Sequence, residues 1–405
     1  MTFFVSISTS KDIANLSPKL GKSIARIALA LNYLLARHAD KESNILFSPL
    51  NIVQTLTSVM LGTAGQTERE LANFLGIAIG RQLDERNKAY VHKILGDFLN
   101  SVTVENSNRV DVGLSLIMAG GIFVQEGYPI KPSYIENAKS IYNNEVIAVN
   151  FEDTTAASRK INQWVSEKTN GKISSIVDPS LDPLTRVIIT GTLYFNGNWE
   201  YPFIPEATKW QKFYLGSNGK ADKRSVQVEM MVNQAEIPYY EDRSRGLQAI
   251  GMPYKNKEFY MYIVLPMFGV EVQNATTCMT PKDIETIVEK SKMAEVFYVI
   301  PKMKLEAEYD LRHSLETLGA KSLFSPTNAN FTDIAEGIYA SQIIHKVTMD
   351  VNEIGTIATA ATSTNINRGG YVNFRADRPF FFFIYNVKVG TMAFWGKVQK
   401  PTPYK

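Results

Sequence analysis

Asn44-Ile-Leu-Phe-Ser48-Pro49-Leu50, followed by Met60-Leu-Gly-Thr-Ala-Gly-Gln-Thr67, is the part of the chain on which the fold turns. Ile45-Leu-Phe47 is a short apolar run without polar alternation, which predicts a buried strand. Pro49 then suits the first turn of a helix, because its φ is already helical, and this helix is expected from Ile52 to Gly62, with Gly62 and Gly65 ending it. Upstream, Leu20, Ile24, Ile27, Ala28, Leu31, Leu34 and Leu35 recur at three- and four-residue spacing and predict an amphipathic helix over 20–38. Downstream, Thr67-Glu-Arg-Glu70 reads as a capping box before a helix from Leu71 to Leu75, and helical spacing returns at 86–101 and 132–144. Strand signals, rich in β-branched and aromatic residues, lie at 114–124, 186–195, 227–238, 246–252, 258–265, 296–307, 341–351 and 380–398. Helices early and strands late favour an α+β fold over a doubly wound sheet.

The 405 residues are 45% hydrophobic and 20% charged, enough to bury a sizeable core. No Pro/Gly/Ser-rich linker, charge run or short repeat divides them, so one large domain is the simpler reading. The formal charge of +3 is spread among nearly balanced acids and bases, which argues against a nucleic-acid surface. Arg81, Arg86, Lys88 and Lys93 could share one helix face and are read as solvated. The single cysteine, Cys278, excludes an intramolecular disulfide and a multi-Cys metal site. Four histidines (His38, His92, His313, His345), with no nucleophile-elbow, zinc-ligand or phosphate-loop motif, leave little basis for catalysis, a metal or a cofactor. No apolar run reaches the ~18 residues a bilayer requires, and the opening residues lack the basic lead and apolar core of a signal peptide. Sequons at Asn15, Asn274 and Asn330 suit a secreted glycoprotein, with a signal already removed; a cytosolic protein is the other reading.

With those two opening stretches, further segments resemble the serpin family in family order. They include Phe123-Val-Gln, Ile161-Asn-Gln-Trp164-Val, Glu167-Lys-Thr-Asn-Gly171-Lys-Ile, Leu181-Asp-Pro-Leu-Thr-Arg186 and Tyr194-Phe-Asn-Gly197-Asn-Trp199. Met230-Met231-Val, Pro253-Tyr, Leu265-Pro266, Pro301-Lys302-Met, Tyr309-Asp-Leu311 and His345-Lys346 continue the likeness. Glu353-Ile-Gly355-Thr356 and Phe374-Arg-Ala-Asp-Arg-Pro379-Phe380 resemble the two ends of a serpin reactive loop. The resemblance implies a serpin domain over 20–400 after an extension at 1–19, with three β-sheets, about nine helices, an exposed loop at about 355–373, and a monomer. It also implies the mechanism: a serine protease cuts the loop, is held as an acyl-enzyme, and is dragged away as the loop inserts as a new central strand.

Insertion demands that alternate loop side chains fit a buried face. With Thr356 inward, the inward set is Thr356, Ala358, Ala360, Thr362, Thr364 and Ile366, small at the hinge and β-branched beyond. No proline interrupts 355–378, so every ladder donor is present. By family resemblance Glu353 pairs with Lys302 at the top of the sheet, with Trp199 beneath them.

Other residues depart from the family pattern. Ile354 stands where a charge is usual, Ile357 where Glu is common, and Thr359 interrupts the run of small residues. At the gate between the central strands, beside Ser48 and His345, Gly191 replaces an Asn that bonds the matched histidine, and Asn51 replaces a Ser. Losing one partner of such a buried pair is worth about 1–3 kcal/mol. Family spacing from Gly355 puts the scissile bond after Gly369, a residue that fills no specificity pocket, with Gly370 next. A trypsin-like protease would instead cut after Arg368, which leaves the inserting arm one residue short. These departures predict a serpin that traps a protease poorly or not at all, acting as a substrate or a binding protein. The alternative is a working suicide inhibitor cut after Arg368.

Overall fold

The computed structural model describes residues 9–77, 85–107, 113–255, 257–353 and 370–403. The opening stripe folds as α1 (Thr9–His38), which begins well before Leu20. Ile13 and Leu16 continue the apolar spacing backwards, and Pro18 is accommodated within the helix at the loss of one backbone bond. Next come β1 (Ile45–Phe47), α2 (Pro49–Leu61), α3 (Gly65–Leu75), α4 (Glu85–Ser107), β2 (Leu114–Gln125), α5 (Pro132–Tyr142) and β3 (Asn144–Val149). The chain goes on through α6 (Thr154–Lys168), β4 (Val187–Gly197), β5 (Lys209–Tyr214), β6 (Ser225–Asp242), β7 (Leu247–Pro253) and β8 (Phe259–Pro266). It closes with α7 (Val272–Thr277), α8 (Pro281–Lys290), β9 (Lys292–Pro301), β10 (Met303–Asp310), α9 (Arg312–Thr317), β11 (Ala340–Val351), β12 (Val372–Arg375), β13 (Phe380–Asn386) and β14 (Thr391–Val398). Among the described residues this makes nine α-helices and a mixed α+β architecture.

Hydrogen bonding joins the strands into a five-stranded sheet, in the order β10-β11-β4-β2-β3, and a nine-stranded assembly. The latter is two sheets sharing β6, whose residues Ser225–Tyr239 pair with β5 and β9 while Tyr239–Asp242 turn to pair with β7. The core lies between these layers, where Phe380–Ile384 of β13 and Phe394 and Trp395 of β14 are fully buried under α1 and α2. Trp395 donates its indole N–H to Asn32 of α1 at 3.0 Å, so the polar edge of the largest core side chain is satisfied.

Several expected boundaries move, each for a local reason. Thr67 does not cap a helix, because α3 already begins at Gly65. Its hydroxyl instead accepts the Asn330 N–H at 3.0 Å, and Glu70 accepts the Ser322 N–H at 2.7 Å. The single strand expected over 296–307 is two strands in different sheets, broken after Pro301, which has no N–H to give a ladder. The run 380–398 is a hairpin, turned at Gly390 with φ +75°. Lys88 is not on a solvated face. It is buried, and its ammonium donates to Thr63 O at 2.8 Å and meets Asp333 at 3.0 Å and Glu68 at 3.3 Å.

Candidate functional site

Two neighbouring pairs in the five-stranded sheet are parallel, β2 with β3 at its edge and β4 with β11 within it. β4 and β11 run parallel side by side, Ile343 opposite Ile189 and Met349 opposite Phe195, while β10 and β2 flank them in antiparallel pairs. Parallel ladders have slanted bonds and are slightly the weaker kind. A strand running the opposite way between β4 and β11 would replace one parallel ladder by two antiparallel ones. Of the two parallel pairs, the β4–β11 seam is the one with an antiparallel partner on each outer side.

At the head of the seam the chain leaves β11 through Asn352 and Glu353. The Trp199 indole N–H donates to Asn352 O at 2.9 Å, and the Phe203 N–H donates to Glu353 O at 2.8 Å. The Glu353 carboxylate meets the Lys302 ammonium at 3.2 Å, both largely buried. Trp199 itself stacks on Tyr254 with centroids 4.5 Å apart and meets Phe203 edge-on at 6.2 Å. The structure therefore brings Trp199, Lys302 and Glu353 together in one clasp. Lys302 reaches it because the break after Pro301 sits at the boundary of the two strand assemblies.

Halfway down, one row of the sheet reads Tyr309, His345, Gly191, Gly120, Asn144 across the five strands. His345 bridges the seam: its Nδ1–H donates to Gly191 O at 3.0 Å and its Nε2 accepts the Ser48 N–H at 2.9 Å. These partners require a neutral ring, and burial holds its pKa down at about 4, the bond to Gly191 O opposing that shift. Ser48 in turn caps α2, accepting the Asn51 N–H at 3.1 Å and donating its hydroxyl to Ala393 O of β14 at 2.7 Å. His345 thus keeps two partners despite the missing side chain at 191. The space that side chain would take is filled by Asn51, whose Oδ1 lies 2.5 Å from where a Cβ on Gly191 would be.

The remaining predicted residues are scattered. Ile354, Gly355, Thr356, Ile357, Ala358, Thr359 and Ala360 of the hinge, and Arg368 and Gly369 of the proposed cut, lie outside the described residues, while Gly370 is exposed just before β12. Of the sequons, Asn274 is exposed on α7, Asn330 is half-buried with its Oδ1 accepting the Thr332 hydroxyl at 2.8 Å, and the Asn15 side chain lies outside the described set. Among the described residues no group of three or more His, Cys, Asp or Glu could hold a metal, and no helix is long and apolar enough to cross a membrane. At the foot of the seam, where β4 and β11 begin, a cavity of about 490 Å³ is lined by Asp178, Asp182, Glu308, Asp310, Arg312 and Tyr339 among others. Neither this cavity nor Asn144 and Phe203 was singled out by sequence. The Gly120-Gly121 pair inside a strand was the one available signal, since glycine in a strand interior marks close approach.

Residues 22–401 match the family model for serpins, the serine protease inhibitors. The chain belongs to the serpin family. It is 31% identical over 370 residues to an uncharacterised serpin-like protein of Thermococcus kodakarensis, covering 90% of this chain and 82% of that one. It is equally 31% identical to human neuroserpin over 382 residues, 91% and 89% of the two chains. Human thyroxine-binding globulin shares the fold, with a TM-score of 0.84 at 24% identity over 95% of this chain and 99% of that one. Members of this family are generally protease inhibitors rather than enzymes.

Proposed function

We propose that this serpin is opened after Arg368 by a trypsin-like serine protease, and that the cut loop enters the β4–β11 seam while most of the protease is released. The observation that carries this reading is the match between seam and arm. β11 has 12 residues, or ~40 Å at ~3.3 Å each, and residues 355–368 supply ~46 Å. The arm therefore reaches the foot of the sheet, where Asp178, Asp182, Glu308 and Asp310 line the cavity that would receive Arg368. It has little length to spare, and a cut here leaves it a residue shorter than family spacing, so the pull on a captured enzyme is weak. Secretion, with carbohydrate on exposed Asn274, belongs to the same reading, as does a monomer without nucleic acid, membrane or cofactor.

The test is to mix the protein with trypsin, run a denaturing gel, and melt the product. The expected result is cleavage after Arg368, little covalent adduct, and a cut form melting well above the intact one. A stable band near the summed mass of the two proteins would establish an efficient trap instead. Cleavage with no rise in melting temperature would overturn insertion itself.

A further inference from the structure

The chain has 4 histidines, and two of them, His92 and His345, are buried. The other two, His38 and His313, are exposed. They lie against each other although α1 and α9 are far apart in sequence, with ring centroids 5.3 Å apart and an interplanar angle of 83°. Every exposed imidazole of the protein is thus at one point of its surface.

Both backbones are fixed there. His38 is the last residue of α1, and the Ala39 N–H just beyond it still donates to Leu35 O at 3.0 Å. His313 belongs to α9, whose start is set by the Asp310 carboxylate, which accepts the Arg312 N–H at 2.9 Å, and by the Leu311 N–H, which donates to Ile343 O at 2.8 Å. The neighbouring cation, Arg312, is engaged by Glu316 at 3.1 Å and lies over the Phe324 ring at 5.4 Å. Neither imidazole takes part in a hydrogen bond or ion pair among the described residues. An edge-to-face contact between the rings leaves all their nitrogens to water.

The spacing suits a shared metal. Zinc–nitrogen bonds of about 2.0–2.1 Å put each ring centroid about 3.2 Å from the ion, and a tetrahedral angle then separates the two centroids by about 5 Å. The observed 5.3 Å matches that separation, so rotation about χ2, which hardly moves a centroid, is the adjustment that coordination requires. No third His, Cys, Asp or Glu completes the set among the described residues. Water fills the remaining positions, which makes an exchangeable site, unlike the structural zinc sites closed by four protein ligands.

We propose that His38 and His313 form a two-histidine site for a cation of the zinc class, Zn2+, Ni2+ or Cu2+. The ion ties the end of α1 to α9, which follows β10 at the edge of the five-stranded sheet. Imidazole selects these ions over Mg2+ and Ca2+, which prefer oxygen ligands. Because the pair exists only in the folded chain, a bound ion stabilises that state by mass action. The site is independent of what happens to the reactive loop.

The test uses the full chain with Cys278→Ser, so that the exposed thiol does not compete for metal. Calorimetric titration with ZnCl2 or NiCl2 should show one ion per chain. His38→Gln and His313→Gln should each weaken it about a hundredfold, because the second ligand acts at high effective concentration. Saturating zinc should raise the first melting transition by about 2 °C in the parent and leave both variants unmoved, and CaCl2 should shift none of them. Both side chains are exposed, so in EDTA the variants should melt with the parent. The parent alone gives a second reading: Ni2+ should broaden the imidazole proton signals of His38 and His313 together and spare those of His92 and His345. Binding that survives the loss of either histidine, or needs millimolar zinc in the parent, would overturn the site. A loss of only about twofold in each variant, or broadening of one ring without the other, would show two independent imidazoles and overturn it equally.

Discussion

Trp199 shows how much one side chain can hold. Its ring stacks on Tyr254 at 4.5 Å while its N–H ties down Asn352 O, the last carbonyl before Glu353. The two roles are separable, because Phe keeps a ring to stack and loses the donor. Trp199→Phe should therefore destabilise the first unfolding transition in urea by about 1 kcal/mol, the usual worth of one hydrogen bond. It should also raise susceptibility of the 352–356 region to limited proteolysis, since that bond fixes where the loop departs. A variant with wild-type stability and wild-type proteolysis would show that the Phe203 N–H and the Lys302 pair hold the segment without it. Ser48 works at the same scale, one hydroxyl and one N–H serving the helix cap, β14 and the histidine bridge. The sequence placed Ser48, His345, Trp199, Lys302 and Glu353 because each bears a distinctive group at a distinctive spacing. It did not show what fills the space at Gly191, because those atoms come from a helix well over a hundred residues away.

Among the elements, those legible in sequence had both a pattern and a terminator. α2 begins at Pro49 and is capped by Ser48, and β2, β4 and β11 are long runs of β-branched and aromatic residues. β5 and β12, of 6 and 4 residues, are too short to show a period, and α7 and α9 have 6 each. Their existence is decided by neighbours: β12 is held by pairing with β9, Phe374 opposite Tyr298. The network around Lys88 was invisible for the same reason, since its partners Glu68 and Asp333 lie on α3 and on the segment after α9. An ammonium this deep, carrying Thr63 O as well, joins α3, α4 and that segment into one unit. Lys88→Met keeps the length and removes the charge from two carboxylates. The expected loss is about 3 kcal/mol, as for breaking a buried pair from one side, read as a fall in the urea midpoint. A loss under about 0.5 kcal/mol, the range of ordinary surface changes, would mean that the carboxylates are well solvated without the lysine.

The whole molecule carries two histidines that the fold keeps neutral, and they set its response to acid. Burial holds His345 at about 4, and burial together with the Lys88 charge holds His92 at about 3, both from an ordinary 6.5. Below pH 6.5 the unfolded chain binds protons at these positions and the folded one does not. Stability that is full above 6.5 is therefore lost as pH falls, down to about 4 for one ring and about 3 for the other. Each contributes a slope of up to about 1.4 kcal/mol per pH unit. Ordinary carboxylates titrate near 4, so between pH 6.5 and 5 the decline is carried mainly by these two rings. His345→Gln keeps a donor for Gly191 O and an acceptor for the Ser48 N–H while removing the titration. Urea unfolding at pH 7 and pH 5 should show a marked loss in the wild type and about half that loss in His345→Gln. His345 spans the seam, so the same acid range should also speed entry of a synthetic peptide of residues 355–367 in the wild type and leave His345→Gln unaffected. Equal acid sensitivity in the two proteins would place the titrating group elsewhere. Parallel loss of stability with unchanged peptide entry would separate the histidine's part in the core from any part in opening the sheet.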